Sequence, residues 1–312
     1  MVRLLGILSA PGKYRASWRR VAPALVIAAA YVAATAPEAG GQIQYLRGQN
    51  IAPSFDGWIP NPDGTIELLF GYLNRNFEEH LHIPVGPNNM LEPGRPDQGQ
   101  PTYFFPRRNM HVFRVTVPRD FGKKEFVWTI TSNGKTERAY ASLKPEFILD
   151  ARGIYRQYTG FDVQGQVENN KPPVIRVDGA LQRTAVVGVP LALTATASDD
   201  GIPSTTPGRG GPFQGTALGL RVAWHVYRGP GETVSFDPQQ FKVYPDFLEG
   251  SPWTPGWTPP KIPADGRFPV RVTFSVPGTF VIRALANDGG ADSFQDVTVT
   301  VSPAASDSAR RP

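Results

Sequence analysis

The 312-residue chain contains no cysteine. No disulfide can staple it, no thiol can act as a nucleophile, and no cysteine-linked lipid can anchor it. Such a chain is held by core burial alone, which suits a bacterial exported protein better than a small animal extracellular module. Catalytic templates are missing as well: the sequence has no Gly-x-Ser-x-Gly elbow, no His-Glu-x-x-His pair and no phosphate-binding loop. Neither a 34-residue helical repeat nor a blade-like period runs along it. Past the N-terminal segment no long helical period is visible, so the apolar residues point to strands.

Acidic residues are absent from the first 36 positions. There, Arg3, Lys13, Arg15, Arg19 and Arg20 precede an uncharged stretch, Val21 to Ala36, with an apolar centre over Ala24 to Ala34. That centre is too short for a comfortable membrane span, and Ala34-Thr35-Ala36 and Ala39-Gly40-Gly41 offer small-residue cleavage sites. Residues 1–41 are expected to be a signal or targeting segment, with an uncleaved anchor as the alternative. Arg19-Arg20 lacks the follow-up of a twin-arginine signal, so the export route is left open. The formal charge of +5 resides in these five residues, because 27 acidic residues balance the remaining basic ones. A neutral mature chain without a basic stripe is not expected to bind nucleic acid. Nor is it expected to keep a membrane span once the leader is removed.

Gly and Pro number 32 each, but they fall between apolar runs as turn punctuation and not as low complexity. Residues 42–150 read as a first β-rich sandwich. Its strands are expected over Thr65–Leu73, Glu78–Ile83, Thr102–Phe105, Met110–Val117, Glu125–Thr131, Lys135–Leu143 and Glu146–Leu149. Ser132-Asn133-Gly134-Lys135 is a hairpin signal, since Asn-Gly tolerates positive φ at both central positions. Residues 151–172, without clear periodicity, read as a linker ending in Pro172-Pro173.

Residues 173–302 give a second sandwich of seven strands: Val174–Val177, Pro190–Ala197, Leu220–Tyr227, Thr233–Phe236, Val270–Val276, Thr279–Ala286 and Phe294–Val301. Period-two alternation turns Leu191, Leu193 and Ala195, Val222, Trp224 and Val226, Val272, Phe274 and Val276, Phe280, Ile282 and Ala284, and Val297, Val299 and Val301 inward. It turns Thr194, Thr196, Arg221, Arg283, Thr298 and Thr300 outward. An insertion spans residues 239–268, and residues 303–312 read as a disordered tail.

Asp199-Asp200-Gly201-Ile202-Pro203, Trp224, Arg228-Gly229-Pro230-Gly231, Pro277-Gly278-Thr279-Phe280 and the Val-Thr-Val ending resemble the PKD-type and related Ig-like modules of exported bacterial proteins. The match covers about 130 residues and departs at the long 204–219 loop and the 239–268 insertion. The resemblance implies a non-catalytic spacer, adhesion or carbohydrate-associated unit. The first domain, with Phe55-Asp56-Gly57-Trp58 and Tyr103-Phe104-Phe105-Pro106, is similar to exported bacterial proteins of no assigned activity and implies no function.

Three constellations could carry chemistry. Tyr244, Phe247, Trp253 and Trp257 sit in the Pro-framed insertion and are a candidate stacking platform for a glycan or anchor for an envelope protein partner; the alternative is that they fold back on their own domain. Asp199, Asp200, Asp288 and Asp292 lie in loops expected at one end of the sandwich and are candidate calcium ligands, against plain turn chemistry. Glu78, His80 and His82 share a face if they lie on one strand, and could ligate zinc or iron; a solvent-facing edge is the bland alternative. His111 reads as a core-edge histidine. The expected protein is therefore all-β, with two β-sandwich domains after a signal segment, exported to the periplasm or beyond, and non-catalytic. A metal-dependent hydrolase centred on Glu78, His80 and His82 is the alternative.

Overall fold

The computed structural model describes residues 45–159, 167, 169–203, 219–243 and 260–304. The regular structure of the described residues is nearly all strand, with a single α-helix, as the all-β reading expected. The signal segment, the tail beyond Ala304 and the aromatic quartet of the insertion lie outside them.

In the first sandwich, β1 (Ile51–Pro60), β2 (Ile66–Asn74) and β6 (Arg107–Val117) form one antiparallel sheet in the order β1-β2-β6. β4 (Asn89–Glu92), β7 (Phe126–Ser132) and β8 (Lys135–Ala141) form the facing one in the order β4-β7-β8. A short pair, β3 (Leu81–His82) and β5 (Tyr103–Phe104), lies beside them. The alternation of Leu68, Phe70 and Tyr72 on β2 meets that of Phe126, Trp128 and Ile130 on β7, and all six are buried. Trp128 is the centre. Phe113 and Phe70 meet it edge-on at 4.8 and 6.1 Å, while its indole N–H donates to Asn89 Oδ1 at 3.0 Å. Asn89 in turn donates to the carbonyls of Ile83 and Pro101, so the buried polar handle is satisfied. Asn133 and Gly134 take φ of 47° and 74° in the β7–β8 hairpin, the mirror-image turn that the dipeptide specifies.

Several boundaries differ from expectation. β1 and β4 were not anticipated. The Glu78–Ile83 strand contracts to Leu81–His82, because the Glu78 and Glu79 amides are taken by the Leu46 carbonyl instead of by a sheet neighbour. Glu146–Leu149 is replaced by a 3-10 turn at Pro145–Phe147. Within the segment read as an irregular linker, α1 (Ala151–Thr159) forms. Asp150 Oδ1 accepts from the Gly153 amide at 2.6 Å as its N-cap, and Ile154 packs against Leu69 and Leu149.

The second sandwich contains β9 (Val174–Val177), β10 (Gln182–Val186), β11 (Leu191–Ser198), β12 (Arg221–Arg228), β13 (Val234–Asp237), β14 (Arg267–Phe274), β15 (Gly278–Asn287) and β16 (Asp292–Ser302). They form two four-stranded sheets, β13-β14-β11-β9 and β10-β16-β15-β12. The chain leaves one sheet after β9 and enters the other as β10, which runs parallel to β16. This unanticipated crossing completes the two layers of an Ig-like sandwich. The stripes predicted to face inward do so: Trp224, Phe274, Phe280, Ile282, Val297 and Val299 are buried in one cluster, and Leu191 and Val276, near strand ends, pack half-buried against it.

The outward-facing side of β12 and β15 is not solvent. Arg221 and Arg283, expected to be exposed, are only 5% and 3% accessible. The first sandwich covers this face. Ala223, Tyr227 and Leu285 join the same hydrophobic cluster as Phe70, Phe113 and Trp128. The Thr102 amide donates to the Tyr227 carbonyl at 3.2 Å, and the Gly229 amide to Thr102 Oγ1 at 3.0 Å. Arg228 grips the Asp97 carboxylate with both terminal nitrogens and donates to Gln100 O. At Gly231 a Cβ would fall 2.5 Å from the Tyr103 ring, so close approach of the two sandwiches requires glycine there.

Candidate functional site

The described ends of the insertion border one groove of about 310 Å³. Trp224, Phe241, Ile262 and Phe268, with several prolines, give it an apolar lining; Lys261 stands at its edge, while Arg267 is paired with Asp178 at 2.6 Å and the buried Arg221 donates to Asn287 Oδ1. β12 is the edge strand of its sheet, so its outward amides need other partners. The Trp224 amide finds one in Gln240 Oε1 at 2.9 Å, and the Trp224 indole donates to Phe268 O at 3.1 Å. These two bonds pin both flanks of the insertion to the same tryptophan. A wider cleft of about 810 Å³ runs between Arg95–Gly99 and Arg114–Thr116; its Arg114 is engaged by Glu67 and Asp292.

The four aspartates occupy different settings. Asp288 is fully buried and accepts from the Gly290 and Ala291 amides at 2.6 Å each and from Asn170 Nδ2 at 3.2 Å. Burial pushes its carboxyl up to about 6 against the pull of those bonds, with a small push from Asp199. Asp199 is raised for the same first reason, and one of its oxygens is buried without a hydrogen-bond partner. Asp200 accepts from the amides of Ile202 and Lys171. Asp292 turns away to Arg114, 2.7 Å distant on the first sandwich. Among the described residues, no group of three or more His, Asp or Glu side chains is arranged to hold a metal ion.

Glu78, His80 and His82 do not share a strand face, since only His82 belongs to a strand. Parity arguments fail where the ladder is not formed. His80 stacks on Tyr103 at 5.3 Å and meets Phe105 edge-on at 5.5 Å. Burial holds its imidazole below the ordinary histidine range, and Glu232 across the junction opposes the shift. His111 is a buried histidine as read, with Nε2 2.6 Å from Gln157 Oε1 of α1.

Two polar centres went unread in the sequence. Asp56, its side chain 1% exposed, takes Arg108 Nη2 at 2.6 Å, the Ser54 hydroxyl at 2.8 Å and the His111 amide at 2.9 Å, fixing the bulges of β1 and β6. Arg283 forms a two-pronged pair with Asp296 and lies between the rings of Tyr227 and Phe294, 3.4 and 3.6 Å from their centroids. The cue for Asp56 is a carboxylate beside Gly57 within an aromatic run. The sequence holds no cue for Arg283, because its partners come from elsewhere in the chain.

No protein-family model matches the chain, and no curated protein matches it. Solved structures with partial likeness include domains 4 and 5 of the S-layer protein SbsC, at 13% identity over 57% of this chain and 65% of that one, TM-score 0.24. Others are immunoglobulin domains 1–4 of Sidekick-1, at 12% over 80% and 47%, TM-score 0.23, and the Yersinia pseudotuberculosis adhesin InvE, at 13% over 83% and 61%, TM-score 0.21. This chain covers less than two thirds of each of the three. Likeness at that level defines nothing about the chain; the strand order of its own second sandwich is what makes it Ig-like. Among the described residues no helix is long and apolar enough to cross a membrane.

Proposed function

We propose that the chain is an exported, non-catalytic envelope or extracellular protein that engages a protein partner where the insertion leaves its PKD-type, Ig-like sandwich. The observation that carries this reading is the groove at the insertion's two described ends. Its apolar lining suits an apolar segment, and Lys261 at its edge suits an acidic residue beside that segment. Tyr244, Phe247, Trp253 and Trp257 lie between those ends in sequence, and rigid aromatics dominate the energetics of most interfaces. The basic, then apolar, residues 1–41 support export. A glycan is the second reading, favoured by the Trp-Thr-Pro-Gly-Trp spacing, which suits stacking on sugar rings.

The test is a glycan array and an envelope-fraction pull-down. Both would use the unaltered chain beside Ile262→Asp, whose residue is exposed in the groove, and Trp253→Ala with Trp257→Ala. The reading expects a protein partner whose binding falls at least tenfold in both variants with the melting temperature unchanged. Glycan binding lost only in the tryptophan variant would select the second reading. A partner held equally well by all three forms would reject both.

A further inference from the structure

Three of the chain's four histidines, His80, His111 and His225, lie where the two sandwiches meet. His225 is the most deeply committed. It projects from β12 on the same face as Ala223 and Tyr227, is 5% exposed, and meets the Phe105 ring of the first sandwich at 5.8 Å. The charge acting on it is a cation, Arg283, its cross-strand neighbour on β15. Arg283 cannot swing away freely. Asp296 of β16 holds it from one side, and the Val112 carbonyl of the first sandwich accepts its Nη1 at 3.0 Å. On its own strand, Arg228 is drawn off to Asp97, and the Tyr227 hydroxyl donates to the Gly99 carbonyl. A proton on His225 would thus place a second positive charge beside a fixed one, under an aromatic lid.

The other two histidines are differently surrounded. His111 has Asp56 of β1 and Asp292 of β16 near it, with Arg114 on its own strand, Arg283 across a small cavity and Gln157 on α1. His80 has Glu232 and Lys242 near it from the second sandwich. Carboxylates therefore offset part of the cost of charging these two.

We propose that the junction is an acid-sensitive latch, in which protonation of His225 breaks the packing of the first sandwich on β12 and β15 and parts the two sandwiches while each core stays folded. Burial, and secondarily Arg283, push the His225 imidazole down from 6.5 to about 3. The closed form therefore prefers the neutral ring, and at neutral pH the latch costs nothing. As pH falls below 6.5 the parted form takes up a proton that the closed form refuses. The ratio of parted to closed chains then rises about tenfold per pH unit until about pH 3. Burial lowers His111 and His80 as well, so they act in the same direction.

The experiment follows, on the full chain, hydrogen exchange of the Thr102 and Gly229 amides together with the His225 ring resonance by NMR, from pH 7.5 to 4. After correction for intrinsic exchange, the junction amides should lose at least tenfold in protection between pH 6.5 and 4.5, while the Trp128 and Ile282 amides keep theirs. His225→Gln should move that loss down by at least one pH unit, and His82→Gln, at an exposed position, should leave it in place. Junction amides as protected at pH 4.5 as at 7.5 would overturn the proposal, as would an unshifted profile in His225→Gln. If that variant does not fold, the unaltered chain decides. A His225 ring that titrates near pH 6.5 while the junction amides stay protected overturns the latch, and one that titrates only as they open supports it.

Discussion

Arg283 donates a 3.0 Å hydrogen bond to the main-chain carbonyl of Val112, across the line that divides the two sandwiches. The guanidinium is almost fully buried, so its remaining contacts with Asp296, Tyr227 and Phe294 form in a low-dielectric layer. One side chain thereby satisfies groups from both sandwiches.

Arg283→Ala should lower stability by about 2–3 kcal/mol, because it leaves the Val112 carbonyl buried without its donor and removes the packing on Tyr227 and Phe294, whereas Asp296, a third exposed, regains water. Arg283→Lys should restore little of this, since an ammonium cannot make the two-pronged pair and the ring stacking together. Chemical denaturation of the three forms checks both statements.

Trp224→Ala and Trp128→Ala each remove the largest side chain of one core and should cost about 3–5 kcal/mol. Because Ala223, Tyr227 and Leu285 of the second sandwich belong to the cluster around Trp128, both changes should shift one shared unfolding transition. Calorimetry that resolves two independent transitions, each moved by only one substitution, would contradict the shared cluster.

Gly71→Ala should be severe. An added Cβ would lie 2.3 Å from Asp56 Oδ2 and 2.4 Å from the Asn109 carbonyl, and the backbone atom cannot yield as a flexible side chain can. The expected loss is about 3 kcal/mol, the upper end for overpacked sites, read from a denaturation midpoint.

Asp288 sets a pH dependence of its own. The folded state keeps its proton up to about pH 6, whereas an unfolded aspartate releases it near 3.8. Between those values the folded state binds more protons, so this group's contribution to stability falls as pH rises and its penalty is complete above pH 6. Asp288→Asn retains an oxygen for the Gly290 and Ala291 amides and removes the charge. The variant should be at least as stable at pH 7 and should lack that decline, as thermal melts from pH 4 to 7 would show.

Much of the second sandwich was legible in the sequence because each of its strands buries one face in its own core, so period two alone sorts the residues. The same rule failed at Arg221 and Arg283. Alternation tells which residues point away from a core, but not whether another body of protein waits there. β10 went unread because its exposed and half-buried residues carry little apolar contrast. Glu78–Ile83 was over-read as a strand because alternation persists where the hydrogen-bond ladder does not. α1 offered a cue in Asp150 and Ile154, masked by Gly153 and a polar surround. For the site, the sequence marked the insertion, whereas the groove at its base depends on Trp224, Gln240 and Phe268 meeting across three parts of the chain.

Amide hydrogen exchange across the junction at pH 7 is the sharpest check on the union of the two sandwiches. If they share one buried interface, the Thr102 and Gly229 amides should be protected far above exposed loops at this pH. Exchange of the junction amides at the rate of exposed loops, with both cores still protected, would show two independent domains and contradict the fold described.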